Sequence, residues 1–109
     1  MVSYQHLLIF GHEGDIHITK KEMKDFLVEL SELLNLNILL GPLVTDGTVK
    51  PGMTGVLVIE ESHITVHTFT DHPNEFWLDI LSCKPFDQQE VIDFFTDRFN
   101  FKKISIKHK

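Results

Sequence analysis

The chain has 109 residues, 42% hydrophobic and 24% charged, which allows one domain with one modest core and excludes a disordered chain. Ten Lys and Arg against sixteen Asp and Glu leave a net charge of −6, which argues against a nucleic-acid partner, since phosphate binding rests on clustered basic side chains. The lone cysteine, Cys83, excludes an internal disulfide and a CxxC metal site. With no apolar run near the length of a membrane span and no basic-then-apolar leader, the expectation is a cytoplasmic protein without a membrane anchor.

Residues 4–10, YQHLLIF, are rich in β-formers and predict a first strand. After a connector at 11–15, Thr19 stands three residues before Glu22, the spacing of a capping box. Met23, Phe26, Leu27, Leu30, Leu33 and Leu34 then recur at helical spacing and predict an amphipathic helix over about 20–35. LNILLG (36–41) predicts a short strand, and the Gly- and Pro-bearing stretch 42–55, without an aromatic residue, reads as a loop. Strands three and four are expected at 55–60 and 63–69, with turn chemistry from Thr70 to Asn74. EFWLDILSC (75–83) predicts strand five. Asp87 with Glu90 repeats the capping signature ahead of a helical stripe of Val91, Phe94, Phe95 and Phe99. Ile104 and Ile106 alternate with polar neighbours in a last strand, 101–107. The order β-α-β-β-β-β-α-β predicts an α+β fold: a two-layer sandwich of a mainly antiparallel sheet with two helices on one face. The other face is left for solvent or a partner.

The stretch IEESHITVHTF (59–69) sets two carboxylates, a serine and two histidines into strand sequence. A hairpin centred near residue 72.5 puts Ser62 opposite Cys83 on one face of the sheet. His67 follows Ser62 by five residues, so a regular strand points the two to opposite faces; either a bulge intervenes or Ser62 belongs to the turn before the strand, and the turn is preferred because Glu60-Glu61-Ser62 is poor ladder sequence. Taken singly, Ser62 reads as a turn residue, Cys83 as a small buried side chain, His67 as a hydrogen-bonded strand histidine and Trp77 as a core or interface residue. Together they allow three chemistries. One is nucleophilic catalysis by Ser62 or Cys83 with His67 as base. A second is a zinc site from His63 and His67 with His72 or Cys83. The third is self-processing, in which Ser62 attacks the Glu61–Ser62 peptide bond.

The motif Glu61-Ser62-His63…His67-Thr68, led by GMTGVLVI (52–59) and followed by Asp79 and Cys83, resembles the small prokaryotic S-adenosylmethionine decarboxylases. The resemblance implies cleavage between Glu61 and Ser62 into a β chain, 1–61, and an α chain, 62–109. It implies that Ser62 becomes a pyruvoyl group, the self-generated cofactor, which engages the substrate amine as a Schiff base and serves as an electron sink. No metal is implied. By the same resemblance His67 is the processing acid/base, Thr54 the hydroxyl residue that assists ester formation, and Cys83 the proton donor to the substrate carbon. A thiol suits that role because it is mostly protonated at neutral pH. The resemblance also implies a homodimer with its active sites at the interface, a place in polyamine metabolism and a small cationic substrate.

The family's usual Trp-Pro-Glu after His-Thr is here Phe69-Thr70-Asp71, residue 84 is Lys instead of Gly, and the loop 42–54 holds no aromatic side chain. Two substrates remain open at this point. One is S-adenosylmethionine, with Phe69 and Asp71 as binding residues. The other is a basic amino acid, ornithine or arginine, read by Asp46 or Asp71. A third reading is an unprocessed homologue that acts as a binding domain.

Overall fold

Strand β1 (Gln5–His12) leads to helix α1 (Lys20–Leu33), then β2 (Ile38–Asp46), β3 (Met53–Ile59), β4 (Ser62–Thr68), β5 (Phe76–Ser82), helix α2 (Gln88–Arg98) and β6 (Lys103–His108). This computed structural model describes residues 2–14 and 16–108. The strands form one six-stranded sheet in the order β2-β3-β4-β5-β1-β6, with every neighbouring pair antiparallel. The expected α+β sandwich with its element order is what is found.

Alternation decides which side chains meet the helices. Leu7 and Ile9 of β1, Leu57 and Ile59 of β3, Ile64 and Val66 of β4, and Phe76, Leu78 and Ile80 of β5 are buried against Met23, Phe26, Leu27 and Leu30 of α1 and Val91 and Phe95 of α2. Phe76 is the hub, with ring contacts to Phe26, Phe95, Phe99 and Phe101. Each such side chain contributes roughly 1.5–3 kcal/mol through burial. Gly55 lets α1 close on the sheet, since a Cβ there would sit 2.8 Å from Met23 Sδ. Both helices begin as expected. Thr19 and Glu22 form the reciprocal capping box, and the Asp87 carboxylate accepts from the Gln89 and Glu90 N–H groups. Among the described residues no helix is long and apolar enough to cross a membrane.

Three expectations need correction. The segment from 42 to 55 is mostly strand: β2 runs to Asp46 and β3 starts at Met53, leaving a loop of 47–52. Gly41-Pro42 sits within β2 at shifts of register. Because β2 is an edge strand, a proline without an N–H is tolerated there, and the Pro/Gly signal misled. Of the expected apolar stripe, Leu34 is buried as read, but Leu33 lies outside the core, 41% exposed. Finally, the β4–β5 register pairs Ser62 with Ser82, and Cys83 lies one residue further on.

Candidate active site

Ser62 is the first residue of β4 and pairs with Ile59 across a hairpin turn of two residues, Glu60 and Glu61. It belongs to the ladder and not to the turn, contrary to the sequence reading. Glu61 has φ +58°, a left-handed conformation that costs a side-chain-bearing residue roughly 1–2 kcal/mol. The turn is pinned from β2's side: the Glu60 N–H donates to the Asn37 carbonyl at 3.0 Å and the Asn37 amide to the Glu60 carboxylate at 3.1 Å.

The Ser62 side chain has the parity of the helix-facing residues. Its hydroxyl donates to Ser82 Oγ at 3.2 Å and its oxygen accepts from the Cys83 N–H at 3.3 Å. Ser82 is fully buried and donates in turn to the Lys84 carbonyl at 2.8 Å while accepting from the Lys84 N–H at 3.0 Å. Lys84 Nζ reaches the Asn35 carbonyl at 2.7 Å, tying this corner to the end of α1. The hydrogen of the Ser62 hydroxyl is thus committed to a hydroxyl chain that ends on a carbonyl. Among the described residues, no imidazole or carboxylate holds Ser62 Oγ. Glu61 and Cys83, with Val2, Tyr4 and Leu81, line a hollow of about 300 Å³ beside the turn.

The second group lies at the far end of the sheet's open face. Thr54 and His67 are cross-strand partners, and Thr54 Oγ1 stands 2.9 Å from His67 Nδ1. Burial pushes the His67 pKa below the ordinary imidazole value, and the negative charge of Asp79 offsets part of that. Asp79, also on the open face, is held by His6 Nε2 at 2.7 Å. His67 pairs across β5 with Trp77, whose ring also meets Phe69 at 4.6 Å. Phe69 and Trp77 line a further hollow of about 400 Å³ with Lys50, Pro51, Asp71, His72 and Glu75.

The expected site residues therefore form two groups, Glu61/Ser62/Cys83 and Thr54/His67 with Phe69 and Asp71 beyond. Five residue steps along β4 separate Ser62 from His67, roughly 16 Å, on opposite faces. The register that put Cys83 directly across from Ser62 is off by one residue, yet the Cys83 N–H still reaches the serine oxygen. His63 and His67 stand roughly 13 Å apart along β4, too far for one zinc ion bound at about 2 Å from each. Among the described residues, no three His, Cys, Asp or Glu side chains cluster as metal ligands.

The geometry is that of a serine behind a constrained peptide bond, a hydroxyl–imidazole pair and a nearby thiol. Against this stands a family match: the S-adenosylmethionine decarboxylase profile fits residues 8–109. The chain belongs to that family. An S-adenosylmethionine decarboxylase proenzyme of Clostridium botulinum (strain Loch Maree / Type A3) is 32% identical over 105 residues, covering 94% of this chain and 88% of the relative. The proenzyme of the Langeland strain is 39% identical over 57 residues, 51% of this chain; in that match the chain spans about half (48%) of the relative's length. In fold, the chain is similar to the adenosylmethionine decarboxylase of Aquifex aeolicus VF5, with a TM-score of 0.78 and 20% identity over 97% of this chain and 88% of that one.

As a member of the S-adenosylmethionine decarboxylase family, the chain carries site features that sequence reasoning did not single out. Ser82 holds the Ser62 hydroxyl, and its signal was available: the helix-facing series Phe76, Leu78, Ile80 ends on a serine. Asp79 entered the sequence reading only as part of the motif; its bearing on His67, and that of His6 through it, runs across three neighbouring strands, a relation no spacing in the sequence encodes.

Proposed function

We propose that the chain cuts itself between Glu61 and Ser62 and that the processed protein decarboxylates S-adenosylmethionine in polyamine metabolism. The observation that carries this reading is the Ser62 corner: a left-handed Glu61 in a two-residue turn, followed at once by a serine whose oxygen is held by Ser82 and the Cys83 N–H. The Ser62 oxygen adds to the Glu61 carbonyl carbon, the C–N bond breaks, and the nitrogen takes up a proton, leaving an ester. Loss of a proton from the Ser62 Cα then expels Glu61 as a carboxylate. The resulting dehydroalanine tautomerises and takes up water, losing ammonia, to leave a pyruvoyl group at the head of residues 62–109. The residues around Ser62 fit that group, because Glu61 and Cys83, on either side of it, line a hollow of about 300 Å³ beside the turn. A pyruvoyl carbonyl supplies an electron sink for loss of CO2 from an amino acid. Cys83, whose N–H meets Ser62 Oγ, is the proposed donor that returns a proton to the substrate carbon.

The imidazole that moves protons during processing is His67, with Thr54 fixing one ring nitrogen. Its distance from Ser62 in the same chain supports a homodimer in which each Ser62 is served by the His67 and Thr54 of a second copy. The open face offers the surface for that copy. Leu40 and Leu43 oppose Val58 and Val56 there, and Leu40 and Leu43 are more than half exposed. A partner laid across this face in a two-fold arrangement brings the far end of one sheet to the Glu60–Glu61 turn at the end of the other, the Ser62 hydroxyl itself starting on the helix side. Solution mass tests this, with twice the 12.6 kDa of one chain expected and a monomer at micromolar concentration contradicting it. The lone thiol of Cys83 suits a cytoplasmic setting, where it stays reduced.

Phe69 and Asp71 are proposed as substrate contacts, Asp71 toward the hydroxyls or the cationic centre. The test is CO2 release from S-adenosylmethionine, ornithine and arginine. Release from S-adenosylmethionine alone is expected. Release from ornithine or arginine alone would replace the substrate assignment, and release from none would remove the enzymatic reading.

A further inference from the structure

We infer that Asn37 and Lys84 are positioning residues for self-cleavage, which hold the Glu61–Ser62 bond from both sides through the end of α1. The inference rests on the proposed cleavage reading and gives that site two residues that act only through others. The need for a hold comes from the turn. Two-residue hairpin turns favour Gly, Asn and Asp, because their backbone must adopt positive φ. Here both turn positions are glutamate, and Glu61 carries φ +58°. Both side chains are exposed, so burial does not fix them either. The turn's own residues give it no reason to keep this shape.

The support comes from outside the turn. On the carbonyl side Asn37 fixes Glu60 twice: its carbonyl accepts from the Glu60 N–H at 3.0 Å and its amide donates to the Glu60 carboxylate at 3.1 Å. On the hydroxyl side Ser62 Oγ meets Ser82 Oγ, and Ser82 is bonded to both backbone groups of Lys84. The two arms join. Lys84 Nζ donates to the Asn35 carbonyl at 2.7 Å, two residues before Asn37. That corner is itself fixed, because the Asn35 N–H donates to the Glu32 carbonyl and the Leu36 N–H to the Ser31 carbonyl. Asn35 takes φ +52°, a helix ending that asparagine tolerates. A closed circuit thus runs from Glu60 through Asn37, Asn35, Lys84 and Ser82 to Ser62, with Glu61 and the bond to be cut as its remaining span. Attack on a carbonyl needs the reacting atoms held in place, and a shift of about 1 Å can cost about a hundredfold in rate. Both closing contacts are exposed, so they contribute little to global stability and act on the bond locally. Lys84 stands where the family usually has glycine, which lacks a side chain to close the circuit.

The experiment follows cleavage of the full-length precursor, made by cell-free synthesis, on gels against time. Lys84→Met keeps the stem of the side chain without a donor, and Lys84→Arg keeps a donor. The Met variant is expected to cleave about three- to tenfold more slowly, the scale of one hydrogen bond, and the Arg variant to restore the rate. Asn37→Asp sets one carboxylate against another and is expected to slow cleavage about tenfold. Adding Glu60→Gln to Asn37→Asp exchanges donor and acceptor across the same contact and should recover the rate. Each substitution is also placed in an uncleavable Ser62→Ala chain, where the urea midpoint should match that of Ser62→Ala alone. Slowing that the Arg variant and the exchange both repair, at an unchanged midpoint, supports the inference. Parental rates in Lys84→Met and Asn37→Asp overturn it while cleavage stands. So does slowing that neither change repairs, or slowing that tracks a lowered midpoint. A wild-type precursor that never cuts removes the cleavage reading and this inference together.

Discussion

Thr54 Oγ1 lies 2.9 Å from His67 Nδ1, while Ser62, the residue this pair is proposed to serve, sits five positions away on the same strand and on the other face. A single copy therefore holds both halves of the proposed processing apparatus without joining them. Complementation tests the joining. His67→Ala alone and Ser62→Ala alone should each leave an intact chain, with general acid–base loss slowing cleavage by about 10²–10⁴-fold in the first. Co-expressed with distinguishable tags, the two variants should yield cleavage of the His67→Ala chain only. If the mixed species stays uncut while wild type is cut, His67 acts within its own chain or not at all.

Thr54→Ala should slow self-cleavage and Thr54→Ser should restore it, because the hydroxyl and not the methyl meets the imidazole. Gel densitometry of precursor against time reads both.

The pH dependence of self-cleavage follows from His67. Burial depresses its pKa and the Asp79 carboxylate raises it, so the neutral, proton-accepting ring persists to lower pH than for an ordinary histidine. Removing the Asp79 charge takes away the raising contribution and depresses the pKa further. Asp79→Asn should therefore shift the acid limb of the cleavage profile to lower pH. A shift to higher pH, measured from initial rates across the range below neutrality, would contradict the electrostatic role.

Cys83 and Ser82 should separate the two stages of the chemistry. Cys83→Ala keeps its backbone N–H on Ser62 and should process normally, yet decarboxylate about 10²–10⁴-fold more slowly. Ser82→Ala removes the acceptor of the Ser62 hydroxyl and should slow cleavage about tenfold, the scale of one hydrogen bond.

Stability rests on the aromatic centre under the sheet. Phe76 is fully buried and meets four other rings, so Phe76→Ala should cost about 3–5 kcal/mol in urea unfolding.

Much of this architecture could be read from side-chain periodicity, because the helices and the inner strands are marked by regular burial. Met23, Phe26, Leu27 and Leu30 fall on one helical face and are buried. The β2 edge could not be read so well, since Pro42 and Gly41 signal a break that an edge strand absorbs. Ser62, Cys83, His67 and Thr54 were all picked out by their pattern. Their grouping was not, because a one-residue change of register exchanges Ser82 for Cys83 as the partner of Ser62. The separation of Ser62 from His67 was implicit in their odd spacing, and the turn assignment for Ser62 hid it.

The central claim is self-cleavage at Glu61–Ser62, and intact mass spectrometry of the denatured protein tests it most directly. The account predicts two chains, residues 1–61 ending on a free Glu61 carboxylate and residues 62–109 headed by a pyruvoyl group, with Ser62→Ala giving one uncut chain. A single wild-type species at 12.6 kDa, unchanged on prolonged incubation, would contradict it.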